Sequence, residues 1–324
     1  MRNILLLGGA GYIGSVVSNY LINKNYSVKI IDNLIYNSPS SNKFIKSNKK
    51  IEFINGDMRD LSKNLKDIDA VVLLAGLVGD PITKKYPVLS EAINNQGNKS
   101  AIDTIIDSGI KKLIYISTCS NYGLIPNNKK ADENYPLNPI SLYSKSKVEI
   151  EKYILSKKID NFSSTILRFA TAFGESPRMR FDLTINEFIY EMYHNKDLLV
   201  FDPDTWRPYC HVLDFARLIE IIINSENKLV NNEVFNAGSD ENNYTKRQIV
   251  NLILKYIPDS NIKFQSHGQD PRNYKVDFNK VRNKLNFEPL YNVKDCILDL
   301  VNVIKKYNSI KKKEFGNYYI DINE

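Results

Sequence analysis

Tyr143 and Lys147 stand four residues apart in Tyr143-Ser144-Lys145-Ser146-Lys147, a spacing that puts a phenol and an ammonium on one face of a helix. A phenol with a pKa near 10 is a poor base at neutral pH. An ammonium about 4 Å away contributes on the order of 4 kcal/mol at an effective dielectric near 20, or roughly three pKa units. That brings the phenol toward the range of general-base catalysis. The same spacing recurs at Tyr20/Lys24, Tyr153/Lys157 and Tyr307/Lys311, so spacing alone decides nothing. Position separates the four pairs. Only Tyr143 opens its helix after a proline-containing loop, Tyr135-Pro136-Leu137-Asn138-Pro139, and only Tyr143 follows a strand-like run ending in Ser117-Thr118-Cys119-Ser120-Asn121-Tyr122-Gly123. The other three read as exposed side chains on amphipathic helices.

The elements that must position this pair are written in the first 32 residues. Gly8-Gly9-Ala10-Gly11-Tyr12-Ile13-Gly14 follows the apolar run Ile4-Leu5-Leu6-Leu7 and opens a helical pattern reaching about Asn23. A second apolar run, Val28-Lys29-Ile30-Ile31, then ends at Asp32. Strand, glycine turn, helix, strand and terminal acid form the first unit of a dinucleotide-binding sheet. The glycines give a tight turn, let a pyrophosphate approach backbone N–H groups, and pack helix on strand, while the helix N-terminus adds partial positive charge. Asp32 can accept hydrogen bonds from the adenosine ribose and would repel a 2′-phosphate, so NAD is expected over NADP.

Apolar, β-branched runs alternate with helical patterns through the first half, which predicts an α/β fold with a doubly wound parallel sheet covered on both faces. Strands are expected at 4–7, 27–31, 51–54, 70–74, 113–117 and 164–169, with helices at 11–23, 90–108 and 141–157. After Gly174 the alternation becomes irregular: a helix near 182–194, a loop at 202–204, and helices near 212–224, 245–256 and 293–307. Residues 1–173 form the expected NAD-binding domain, with 206–238 returning to it. Residues 174–205 and 239–324 form a smaller substrate-binding domain over the strand ends.

Bulk properties set limits. The chain has 324 residues, 43% hydrophobic and 25% charged, an ordinary globular composition. Its net charge of +7 and pI of about 9.0 are spread along the chain with no Lys/Arg cluster among stacking aromatics, which argues against nucleic acid. Cys119, Cys210 and Cys296, with His194, His211 and His267, share no metal-ligand spacing, so no metal is expected and a reduced, cytoplasmic setting is. The opening apolar stretch is too short for a signal-peptide core or a membrane span.

With these residues in hand, the chain resembles, nearly end to end, the extended short-chain dehydrogenase/reductases (Rossmann-type) of the nucleotide-sugar epimerase/dehydratase family. The resemblance makes Gly8, Gly11 and Gly14, with Tyr12 and Ile13 between them, the phosphate turn, and Asp32 and Asn33 the ribose end of strand two. It sets Asp57 and Met58 at the adenine. Leu74-Ala75-Gly76 becomes the strand-four end against the cofactor, where the family more often has two alanines. Asn94 matches the asparagine of an N-x-x-G helix. Thr118, beside the cofactor-facing Ser117, matches the catalytic Ser/Thr, Tyr143 the base and Lys147 its partner. Leu167-Arg168-Phe169-Ala170-Thr171-Ala172-Phe173-Gly174 resembles the segment passing nicotinamide and sugar, which puts Thr171 at the substrate. Arg207, in Arg207-Pro208-Tyr209-Cys210-His211-Val212-Leu213-Asp214, resembles the arginine that reaches the substrate's nucleotide or diphosphate, and Arg272, in Asp270-Pro271-Arg272-Asn273-Tyr274, the late arginine that holds the diphosphate; a planar fork suits two phosphate oxygens. Arg178 and Arg180 are open between a substrate role and a structural ion pair.

The resemblance implies one opening step: Tyr143 takes the proton of a sugar hydroxyl, usually at C4, as hydride passes to the nicotinamide. Thr118 hydrogen-bonds the same oxygen. The family's 4,6-dehydratases place Asp-Glu directly after the Thr; here Cys119 and Ser120 stand there, which disfavours dehydration. Cys119 and Ser120 are then expected at the substrate, with Cys119 either an acid/base for C3 or C5 epimerisation or a buried, inert thiol. A nucleotide-linked hexose or heptose is the expected substrate and 4-epimerisation the first reading. A 4-oxidase or ketoreductase is the alternative, because Pro177-Arg178-Met179-Arg180-Phe181-Asp182-Leu183 and Leu77-Val78-Gly79-Asp80-Pro81 resemble a subgroup that includes GDP-heptose 4-oxidases of surface-polysaccharide pathways. An NAD-sensing regulator on the same fold is the reading from another class; such proteins typically lack the Tyr/Lys pair. A homodimer through helices 90–108 and 141–157 is implied by the resemblance.

Overall fold

The computed structural model describes residues 2–61, 64–266, 272–307 and 312–320. Each predicted apolar run becomes a strand of one parallel sheet. In chain order the elements are β1 (Asn3–Leu7), α1 (Tyr12–Asn23), β2 (Ser27–Asp32), α2 (Pro39–Ser47), β3 (Ile51–Asn55), β4 (Ala70–Leu73) and α3 (Asp80–Lys85). A continuous helical rod follows: α4 (Pro87–Ser90), a π-helical stretch (Glu91–Gly97) and α5 (Asn98–Asp107). Then come β5 (Lys112–Thr118), α6 (Leu142–Ser156), β6 (Ser163–Phe169), β7 (Thr171–Phe173) and α7 (Thr184–Tyr190). The remainder is β8 (Asp197–Phe201), β9 (Trp206–His211), α8 (Val212–Asn224), α9 (Asn227–Val230), β10 (Glu233–Ala237), β11 (Asn243–Thr245), α10 (Lys246–Leu254), β12 (Asn261–Gln265), α11 (Asn279–Leu285) and α12 (Val293–Lys305).

The large sheet runs β10-β6-β5-β4-β1-β2-β3, with every pairing parallel. The order in which the chain adds strands reverses at β1, which pairs β2 on one side and β4 on the other, so a crevice opens beyond their C-terminal ends. Alternation of side chains builds two cores. Ile4, Leu6 and Val72 face Phe215, Ile219 and Ile222 of α8. Leu5, Leu7, Val71 and Leu73 face Ile102 and Ile105 of α5 and Ile150 and Ile154 of α6. The smaller lobe has a three-stranded sheet, β11-β9-β7, a two-stranded one, β12-β8, and its own core around Phe181, Ile189, Ile253 and Ile297. Residues 274–287 leave that lobe: Tyr274, Val276, Phe278, Val281 and Phe287 pack into the main core.

Candidate functional site

Position α6 first. Its start is fixed by a capping box in which Ser141 Oγ accepts from Ser144 N–H and Ser144 Oγ accepts from Ser141 N–H, each at 3.2 Å. One turn beyond Lys147, the buried Glu151 carboxylate accepts from Ser117 Oγ (2.5 Å), Asn121 Nδ2 (2.8 Å) and Arg168 Nη2 (2.7 Å). That network ties α6 to β5 and β6, and it places Tyr143 and Lys147 against the strand end carrying Thr118. It also shows that Arg168, quoted above as part of a segment passing the ligand, serves the scaffold.

Two cavities meet there. The first lies over the switch point and is lined by Gly8, Gly11, Tyr12, Ile13, Gly14, Asp32, Asn33, Asp57, Met58, Leu74, Ala75, Gly76, Tyr143 and Lys147. Gly8 has φ +80°, and a Cβ there would sit 2.7 Å from Ala75 Cα; a Cβ on Gly14 would sit 2.6 Å from Gly9 Cα. Both positions therefore require glycine, and the turn brings its backbone to the cavity. Asp32 Oδ2 accepts from Ala10 N–H (3.0 Å) and Oδ1 from Leu34 N–H (2.9 Å), so the acid also braces the turn; burial pushes its carboxyl up. Asp57 takes a two-pronged pair from Arg59 (both 2.8 Å) and a hydrogen bond from Asn33 Nδ2 (3.2 Å). Although its partial burial pulls the other way, the Arg59 guanidinium holds this carboxyl low. A glycine-lined floor, a helix N-terminus and an acid at the end of β2 are the donor set a dinucleotide needs, and they fit NAD.

The second cavity is lined by Asp80, Ser117, Thr118, Ser120, Thr171, Arg207, Arg272 and Tyr274, among others, and it shares Tyr12, Ile13, Val78, Ile116, Tyr143, Arg180 and Asn317 with the first. Thr118 Oγ1 donates to Ser120 Oγ (3.1 Å), and Ser120 Oγ meets Tyr274 Oη (3.2 Å) and Arg272 Nη1 (3.3 Å). Arg272 Nη2 also pairs Asp80 at 2.9 Å. Arg207 donates to the carbonyls of Trp206 and Arg272 and lies 5.0 Å from the Tyr274 ring centre. Arg180 forms a two-pronged pair with Asp182 (2.9 and 2.6 Å).

Four expectations need correction or refinement. Cys119 does not reach the substrate cavity: its side chain is 1% exposed in the core, Sγ lies 3.0 Å from Arg168 O, and burial pushes the thiol up. It opens the 3-10 turn Cys119–Tyr122 that follows β5, all four residues of which are buried. Asn94 stands behind the cofactor cavity, where Oδ1 accepts from Leu77 N–H (2.7 Å) and Nδ2 donates to Leu77 O (3.0 Å), so it holds the loop after β4. Ser117 lines the second cavity and gives its hydroxyl to Glu151. Lys147 turns its ammonium to the strand. Its Nζ donates to Ile116 O (2.7 Å) and lies 4.6 Å from the Tyr115 ring centre and 5.9 Å from that of Tyr143. Burial brings this lysine down to about 8. The Tyr143 phenol is pushed up by burial and by Asp80, and the cations that oppose this are Arg180 and Arg272.

Tyr36, Asp80 and Asn317 line the cavities without having been singled out as site residues, and Arg178, left open between a substrate role and an ion pair, lines the dinucleotide cavity. Asp80 and Arg178 stood in motifs already quoted; Asn317 lies far along the chain, where no local pattern marks it. His211 and Asp214 are structural: His211 packs between Phe173 and Tyr291, and Asp214 accepts from Arg217 and the Leu290 and Tyr291 N–H groups. His267, Asp270, Pro271 and Lys311 lie outside the described residues. No helix among the described residues is long and apolar enough to cross a membrane.

The NAD dependent epimerase/dehydratase family model matches residues 4–238. A UDP-glucose 4-epimerase of Lactobacillus helveticus is 27% identical over 91% of this chain and 94% of its own length. The crystal structure of UDP-glucuronic acid 4-epimerase from Bacillus cereus, in complex with UDP-glucuronic acid and NAD, superposes with a TM-score of 0.80 at 26% identity, covering 94% of this chain and 99% of that one. A dTDP-glucose 4,6-dehydratase from Bacillus anthracis, in complex with NAD, shares the fold at a TM-score of 0.85 and 23% identity, over 97% of this chain and 100% of that one.

Proposed function

Because the chain belongs to the NAD-dependent epimerase/dehydratase family, we propose that it is a nucleotide-sugar 4-epimerase, oxidising C4 of a nucleoside-diphosphate sugar and re-reducing it from the other face. One observation carries the reading: Tyr143 lines both the dinucleotide cavity and the cavity walled by Thr118, Arg207 and Arg272. NAD, when bound, supplies the two-electron acceptor at C4. Tyr143 Oη takes the C4 hydroxyl proton and returns it after re-reduction. Thr118 Oγ1 holds the same oxygen, turning from Ser120 Oγ to do so. Lys147 places positive charge beneath the reacting groups, and Arg207 and Arg272 face the diphosphate. Dehydration finds no support beside Thr118, where Cys119 is buried and Ser120 is a hydroxyl. The relatives' substrates make UDP-hexoses and UDP-hexuronates the first to try.

A 4-oxidase is the second reading. It is favoured by the way the two segments quoted for it converge on the cleft, with Val78 and Arg180 on shared walls. The test incubates protein and NAD with UDP-glucose, UDP-glucuronic acid and GDP-, dTDP- and CDP-sugars, and follows products by NMR. An inverted C4 supports epimerisation; an accumulating ketone with free NADH supports oxidation. Tyr143→Phe should cut turnover by about 10²–10⁴-fold with NAD binding retained. Unchanged turnover would place the base elsewhere, and NAD binding without any reaction would favour a sensor. The rod ending in α5 and the adjacent α6 are the proposed homodimer face, to be checked by light scattering.

A further inference from the structure

The dinucleotide cavity holds a cation that the proposed reaction does not use. Arg178 enters it from the loop after β7; it is 2% exposed and lines the cavity together with Gly11, Tyr12, Asp32 and Tyr36. Its Nη2 donates to Gly316 O (3.3 Å), and its guanidinium lies 5.5 Å from the Tyr36 ring centre. Its Nη1 is buried with no hydrogen-bond partner among the described residues. The next arginine along differs, since Arg180 is matched at short range by Asp182. Asp182 and, more weakly, Asp32 attract this guanidinium without a hydrogen bond to it; Asp182 is paired with Arg180, and Asp32, at the end of β2, spends an oxygen each on Ala10 and Leu34 N–H. A buried guanidinium with an unused donor is costly unless something in the cavity completes it. Burial and the adjacent Arg180 charge bring it down to about 10, still a cation at neutral pH.

We propose that Arg178 is an anion-binding residue of the cofactor site and receives the dinucleotide's diphosphate on Nη1, opposite the glycine turn. The inference rests on reading the cavity as the NAD site. Of a dinucleotide's parts only the diphosphate is anionic; adenine and both riboses are neutral and oxidised nicotinamide is positive. The grip would then come from two lobes, the turn after β1 and the loop after β7. The C-terminal segment roofs the second lobe's contribution: Phe181 N–H donates to Phe315 O (2.6 Å), Asn317 N–H to Asp182 (3.2 Å) and Asn317 Nδ2 to Val78 O (3.3 Å).

The full chain, Arg178→Met and Arg178→Gln are titrated with NAD⁺, ADP-ribose and adenosine by calorimetry, with unliganded melting temperatures measured alongside. Both variants should bind NAD⁺ and ADP-ribose roughly 30-fold or more weakly while adenosine affinity holds. Arg178→Met should melt no lower than the parent, because it removes an unmatched buried charge. If the Met variant fails to fold, the Gln variant makes the same comparison. Parent-like ADP-ribose affinity in a folded variant overturns the proposal, as does an equal loss for adenosine, which would mark a defect of shape. A parent chain that binds neither NAD⁺ nor ADP-ribose would sink the reading of the cavity itself, a distinguishable outcome.

Discussion

Lys147 is a charge held where water does not reach it, 6% exposed with its ammonium on Ile116 O. The sequence places this lysine one turn from the phenol, and that much is legible from i, i+4 spacing. Nothing local says that a strand carbonyl will capture the ammonium first, because that depends on how closely α6 lies on β5. The same holds for Cys119, whose inward direction depends on where β5 ends. A lysine at about 8 in the fold and near 10.5 unfolded is charged in both states at pH 7, with its burial cost fully present. Between pH 8 and 10.5 the unfolded chain holds a proton that the fold does not, so stability rises with pH there. Lys147→Met should thus gain about 2 kcal/mol at pH 7, net of the lost hydrogen bond, and lose that upward slope. Turnover should fall at least about 100-fold. Urea unfolding at pH 7 and 9.5 checks it; a destabilised Met variant would mean that the ammonium holds the fold together.

At the scale of elements, legibility follows burial on both sides. β1, β4 and the Leu113–Ile116 stretch of β5 read as apolar runs because helices cover both sheet faces, β6 keeps only Ile166, Leu167 and Phe169, and the ends of all four fall within a residue or two of expectation. β8 holds the short apolar run Leu198–Phe201, absent from the strands expected from sequence, while β9 carries Arg207 and His211 inside the lobe and β12 is largely exposed, so neither of these two shows a signal apart from its partner strand. α2 buries only Ser41 and Phe44 and escapes notice for the same reason. One cap makes a measurable consequence. His211 stands at the N-terminus of α8 and its Nδ1 accepts the Leu213 N–H (3.3 Å), a bond only neutral imidazole can accept. Burial brings this imidazole down to about 4. From pH 6.5 to pH 4 the unfolded chain is protonated there and the fold is not, so stability present above pH 6.5 is lost as pH falls. The loss at this one site is about 3 kcal/mol by pH 4. His211→Gln, which keeps an acceptor, should show a correspondingly shallower acid dependence of its denaturation midpoint. Parallel curves for the two proteins would remove the imidazole as the cause.

Across the whole molecule polar links join the two lobes around the cleft, among them Tyr12 Oη to Gly174 O and Asn317 Nδ2 to Val78 O, and one ion pair faces the proposed chemistry. Asp80, at the start of α3, pairs Arg272 of the segment returning from the smaller lobe at 2.9 Å, while its Oδ1 has no hydrogen-bond partner among the described residues. A substrate diphosphate that takes Arg272 must compete with this carboxylate, and Asp80 also helps keep the Tyr143 phenol high. The pair is partly exposed, so it is worth on the order of 1 kcal/mol. Asp80→Asn should therefore bind a nucleoside diphosphate such as UDP roughly fivefold more tightly. With one negative charge fewer beside it, the phenol ionises more readily, so the rising limb of kcat/KM against pH should move to lower pH. The two readouts report different consequences of a single charge, diphosphate capture and base strength. Weaker UDP binding in the variant would mean that Asp80 serves to position Arg272 for the diphosphate, and an unmoved pH limb would mean that the carboxylate's field does not reach the base once substrate and cofactor fill the cleft.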